Sequence, residues 1–226
     1  YGARAKGGVG LIVSEVVTVE PVYVYLPGDM SIHDDSYIEG WRKVFEEVHK
    51  YGTVLLPQLF HPAFMAFPLP GTPQLIAPSN VGPYYAKAAP RAVTKEEIDV
   101  LIKQFGDAAY RMKIAGGDGV EIHAAHAHGL LGGFLSPLYN KRCDEYGGDI
   151  NGRLLLTLRV VKEVRERCGE DFIIDVRISG DEYSDGGLNV NDATYVAKQL
   201  EKAGVNLIHV SGGTTIKKGS AIPAPG

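Results

Sequence analysis

Cysteine is scarce: Cys143 and Cys168 are the only two in 226 residues, with no Cys-x-x-Cys and no histidine clustered beside either. That distribution excludes a local zinc or iron–sulfur ligand set and points to a reducing compartment. A basic excess is absent too. With 23 Lys and Arg against 27 Asp and Glu, both signs interspersed, no stripe can neutralise a run of phosphates, so nucleic acid is excluded as the expected partner. No apolar run approaches the roughly 20 residues that cross a bilayer, and no charged-then-apolar leader precedes the globular pattern. The expectation is a soluble cytoplasmic protein whose partners are small molecules, with no membrane and an open question of homo-oligomerisation. The first strand is followed by no Gly-x-Gly-x-x-Gly. What is present, 45% hydrophobic and 22% charged residues, suffices for a real core and excludes disorder.

Five apolar, strand-length segments alternate with helical periodicities. The strands are read at residues 9–17, 53–59, 119–123, 172–178 and 205–210. Between them, Ser36 is placed to cap a helix in which Tyr37, Trp41, Val44, Phe45 and Val48 recur at three and four. Thr94 and Glu97 form a capping box for a helix over 95–115, and further helices are read at 151–168 and 191–203. Residues 61–90 hold more than half of the thirteen prolines and no helical period, so a long excursion with a small hairpin is expected there. The pattern is that of parallel βαβ units, which both a doubly wound sheet and a (β/α)8 TIM barrel satisfy. The barrel is favoured because polar residues stand at the carboxyl ends of several strands: Gln58 and His61, His123 and His126, Arg177, Ser211. A helix tail at residues 1–6 and a stop just after a strand read as one partial barrel domain over 1–226, without the first strand and the last two βα units. The open edges at 9–17 and 205–210 are expected to be unpaired.

The densest chemistry is Glu121-Ile122-His123-Ala124-Ala125-His126-Ala127-His128. Imidazoles three residues apart, read here as lying on the first turn of a helix, can both reach one carbonyl oxygen and stabilise charge building on it. The same residues, His123, His126 and His128 with Glu121, could instead ligate a divalent metal in a metal-dependent hydrolase.

Downstream, Phe134-Leu135-Ser136-Pro137, Asn140-Lys141-Arg142, Asp144-Glu145-Tyr146-Gly147-Gly148 and Asn151-Gly152-Arg153 make a long specific block. With Gly7-Gly8-Val9-Gly10, Gln58-Leu59-Phe60-His61, Ala77-Pro78-Ser79, Asp118-Gly119-Val120-Glu121 and Gly180-Asp181-Glu182, it resembles the old yellow enzyme family of NADH:flavin oxidoreductases. The resemblance is to the branch of 2-enoate and 2,4-dienoyl-CoA reductases, and it covers nearly the whole chain. It implies an eight-stranded barrel holding FMN, with this chain supplying strands two to six, and reduction of the C=C bond of α,β-unsaturated carbonyl compounds using NADH or NADPH. A longer parent carrying a 4Fe-4S cluster and FAD is compatible with it. A related flavin amine-type dehydrogenase is the alternative on the same scaffold. The family's flavin-contacting glutamine falls on Gln58, its strand-five arginine on Arg177, and its carbonyl-binding pair on His123 and His126. The resemblance implies that Arg177 stabilises the anionic reduced flavin.

Two departures stand out. The family's tyrosine proton donor is absent; His128 or Gly129 occupies its place, so His128, Tyr183 or solvent is the expected acid. The glycine-arginine pair after the strand-three histidine is replaced by Ala63 and Phe64. Asn140, Arg142, Asp144 and Arg153 are read as a structural lattice.

Overall fold

Parallel strands need long crossovers, and an amphipathic helix laid across the sheet supplies one while burying its own apolar stripe. The computed structural model of the chain, which describes residues 1–67, 69–82 and 89–214, repeats that unit along its length. A leading helix α1 (Gly2–Lys6) precedes β1 (Leu11–Thr18). A short β2 (Met30–Ser31) and a 3-10 turn (Asp35–Tyr37) lead into α2 (Ile38–His49) and β3 (Val54–Phe60). Two short strands, β4 (Ile76–Ala77) and β5 (Arg91–Ala92), come before α3 (Lys95–Ile114) and β6 (Gly119–Ala124). Then follow α4 (Gly129–Leu135), α5 (Ile150–Cys168), β7 (Ile173–Ser179), α6 (Val190–Lys202) and β8 (Leu207–Ser211).

The main sheet has the order β2-β1-β3-β6-β7-β8, every pair parallel. From β1 onward the spatial order is the chain order. A doubly wound sheet reverses direction at a switch point, whereas here only the two-residue β2 lies on the other flank of β1 and the long strands never reverse. With right-handed crossovers the helices therefore all fall on one face, which is the winding of a (β/α) barrel. The architecture is a partial α/β barrel.

Several local expectations are corrected. The cap of the α2 segment is Asp34, whose carboxylate accepts the Ser36 N–H at 3.0 Å; Ser36 lies inside the 3-10 turn. The capping box of Thr94 and Glu97 forms as read from the sequence. In the proline-dense excursion β4 and β5 pair parallel, not as a hairpin. β2 pairs with Val17 and Thr18, so the β1 edge is covered at its carboxyl end. Among the described residues no helix is long and apolar enough to cross a membrane.

The two sheet faces differ in chemistry. Leu55, Leu59, Val120, Ile122, Ile174 and Val176 are wholly buried on the outer face, where α3 and α5 pack. The alternate residues, Gln58, Glu121, His123, Asp175, Arg177, His209 and Ser211, share the inner face by the period of two.

Candidate active site

A strand buried on both faces is ordinarily a continuous apolar run, so polar residues at every second position must answer to one another or to a ligand. Register puts Gln58, Glu121 and Asp175 side by side, and His123, Arg177 and His209 one step further along. Gln58 Nε2 donates to Glu121 Oε1, and His209 Nδ1 lies 2.7 Å from Glu121 Oε2. Burial pushes both carboxyls up, and the hydrogen bond and negative charge of Glu121 help take Asp175 to about 7.

The segment after β6 turns sharply. His126 and Ala127 have φ of 64° and 50°, a left-handed conformation that disfavours side chains by about 1–2 kcal/mol each. His126 thus sits in a left-handed turn before α4, not on the first turn of a helix as the spacing suggested. Ser179 Oγ accepts the His126 N–H at 2.6 Å and the His128 N–H reaches Ala125 O at 3.0 Å, holding the turn. Its consequence is that neighbouring histidines part company. His126 Nε2 lies 3.0 Å from Ser211 Oγ, to which Arg177 Nη2 donates at 3.1 Å, so Ser211 joins β6, β7 and β8 at the mouth of the sheet. His128 instead stacks on Phe60, with ring centroids 5.3 Å apart, and meets Tyr25 edge-on at 5.2 Å.

Burial depresses all three imidazoles, and the Arg177 charge lowers His123 and His126 further. His128 falls to about 4. Each is neutral near pH 7 and offers one N–H. His61, at the end of β3, is walled off: it accepts the Ala63 N–H at Nδ1, and burial takes it to about 3. Phe64, where the resemblance implies a cation, packs on Tyr139 at 4.6 Å. Tyr183 is 68% exposed at the rim.

The histidine triplet is not brought together as a metal site. The group of candidate ligand atoms within 4.8 Å of one another among the described residues is Glu121, Asp175 and His209. Asp175, His209 and Ser179 escaped the sequence reading. The available signal was their spacing, since Asp175, Arg177 and Ser179 alternate along an otherwise apolar strand.

A profile of the NADH:flavin oxidoreductase / NADH oxidase family matches residues 1–223. The chain belongs to this family. It is 40% identical to an NADH oxidase of Thermoanaerobacter brockii over 94% of this chain and 33% of that protein. It is 38% identical to an NADPH dehydrogenase of Halalkalibacterium halodurans over 100% of this chain and 63% of that one. The chain therefore spans between a third and just under two thirds of these relatives. Among solved structures it resembles morphinone reductase, with a TM-score of 0.84 and 30% identity over 100% of this chain and 64% of that one. It also resembles histamine dehydrogenase from Rhizobium sp. 4-9, with 0.87 and 26% over 95% and 32%.

Members of the family are flavin- and NAD(P)H-dependent oxidoreductases. The donor set suits a flavin. A fixed guanidinium, an amide and neutral imidazoles face the same side of the sheet, and buried Arg177 Nε and His123 Nδ1 have no hydrogen-bond partner among the described residues. Asn140, Arg142 and Arg153 lie apart from this face, tying the loop before α5 to backbone carbonyls of Phe134, Tyr146, Pro78, Val93, Leu135 and Gly148.

Proposed function

We propose that the whole protein is an FMN-dependent oxidoreductase that reduces the C=C bond of enoates, enones or enoyl thioesters with NADH or NADPH as electron source. The observation that carries this reading is the convergence of His126 and Arg177 on Ser211, with His123 beside Arg177 in register, at the carboxyl ends of parallel strands. When bound, FMN supplies the hydride.

Gln58 and Arg177 would hold its ring, the amide by donating and accepting, the guanidinium by a charge that does not titrate. His123 and His126 would each donate an N–H to the substrate carbonyl oxygen. Both donors gain strength as that oxygen becomes negative, so they stabilise the transition state more than the bound substrate. His128 takes no part in proton transfer in this reading: it is neutral, buried and packed between Phe60 and Tyr25. The α-carbon proton then comes from solvent at the open rim.

The test is turnover by the full-length protein, following NADH and NADPH oxidation with cinnamate-like acids, enoyl thioesters and cyclic enones. His126→Ala is expected to lower kcat/KM by roughly 10²–10³ while flavin content stays constant. Unchanged kcat/KM in both His123→Ala and His126→Ala would refute the carbonyl-binding roles. The likeness to histamine dehydrogenase favours a second reading, an amine dehydrogenase. Reduction of the flavin by amines and not by NAD(P)H would establish it instead.

A further inference from the structure

Beneath the proposed flavin contacts lies a buried cluster that neither the family assignment nor the proposed reaction uses. Glu121 is fully buried, and Asp175 on the neighbouring strand is 3% exposed. A Glu121 oxygen and an Asp175 oxygen lie within 4.8 Å of each other, and two buried carboxyls that close hold one proton because both cannot be charged. Asp175 Oδ1 finds no donor among the described residues, which an acid tolerates and a buried carboxylate does not. The proton therefore belongs to Asp175. Glu121 is left as the carboxylate, and three strands direct donors at it: Gln58 Nε2 from β3, the Asp175 acid from β7 and His209 Nδ1 from β8.

A carboxylate accepts and cannot donate. The Gln58 amide must therefore turn its NH2 toward Glu121, because the flipped amide would set its oxygen against a charged one. That leaves the Gln58 carbonyl and its second N–H free to face away from the cluster.

We propose that Glu121 is a positioning residue, which fixes the Gln58 amide in the one orientation that offers its carbonyl oxygen to an N–H on the edge of the cofactor. The inference rests on the reading of Gln58 as a flavin contact. The competing use of the same atoms is a divalent cation among Glu121, Asp175 and His209. Arg177 opposes that use, since its charge adds to burial in lowering His209 and would act against a second cation too. Arg177 and His209 are the other charged or titratable groups that act on this pair, and His126 lies beyond them.

A double-mutant cycle on the full-length protein tests it, with FMN dissociation constants from fluorescence titration at pH 7 and circular dichroism to verify folding. Gln58→Ala and Glu121→Gln are each expected to weaken FMN binding roughly tenfold or more, and Glu121→Gln to add nothing once Gln58 is alanine. Asp175→Asn keeps an N–H donor toward Glu121 and is expected to retain wild-type affinity. If Glu121→Gln weakens binding equally in both backgrounds, Glu121 is merely structural and the inference fails while the flavin reading stands. If Gln58→Ala binds FMN as wild type does, both fail. Stoichiometric zinc or manganese by elemental analysis, lost in Glu121→Gln, would replace the inference with a cation site.

Discussion

At the scale of single residues, the barrel mouth shows how burial sets protonation. Glu182 is completely buried; its Oε2 receives the Ser136 hydroxyl and the Leu188 N–H, both at 2.9 Å, and burial pushes its carboxyl up to about 7. A raised acid holds its proton in the folded state after the unfolded chain has released it. Stability from this group is thus present below the ordinary carboxylate range and is lost as pH rises toward 7, on the order of 3 kcal/mol in all. Glu182→Gln is expected to shrink the fall in urea midpoint between pH 5 and pH 8; an unaltered pH profile would show that the carboxyl ionises freely in the fold. The imidazoles behave in the opposite sense. His128, with its folded value near 4, loses stability as pH drops below the ordinary imidazole range. Gln58, His123, His126 and Arg177 were legible as candidates because their spacing and neighbours marked them. The divergence of His126 and His128 was not, since two residues of left-handed backbone decide it and nothing in their identity announces that conformation.

At the scale of elements, strands and long helices were legible because run length and the three-four period distinguish them. α4 was not. Gly129, Gly132 and Gly133 in seven residues give it poor helix propensity, and burial on all sides leaves it no amphipathic stripe. Packing makes the helix instead: a Cβ on Gly132 would stand 2.4 Å from Ala125 O, at the root of the turn that carries His126. Gly132→Ala is expected to destabilise by about 1–3 kcal/mol and to weaken carbonyl-substrate binding as the turn shifts, measured by urea unfolding and KM in the full-length protein. A fully wild-type variant would show that α4 does not brace the turn. The Glu121, Asp175 and His209 cluster escaped for a related reason. Its members lie on three strands, and the register that aligns them is not written in any one of them.

At the scale of the whole molecule, the two flanking long strands of the sheet, β1 and β8, leave apolar side chains uncovered. Leu11 and Leu207, which register places on the inner face, are 40% and 41% exposed, and Val210 on the outer face of β8 is 62% exposed. Residues 1–226 expressed alone are expected to bind a hydrophobic dye, to associate on gel filtration and to retain no FMN. A monomeric yellow preparation would contradict this. Barrel winding and family were legible from the order of segments and the long block after His128, because both depend on pattern more than on contacts. The central claim is that Arg177 faces the cofactor on the inner side of the barrel. Its most direct test is the flavin midpoint potential of the full-length protein with Arg177→Met. A drop of tens of millivolts is expected, about 30 mV for each tenfold of lost preference for the reduced form, with FMN still bound. A potential equal to that of the wild type would mean the guanidinium lies elsewhere, and the site assigned to it would be wrong.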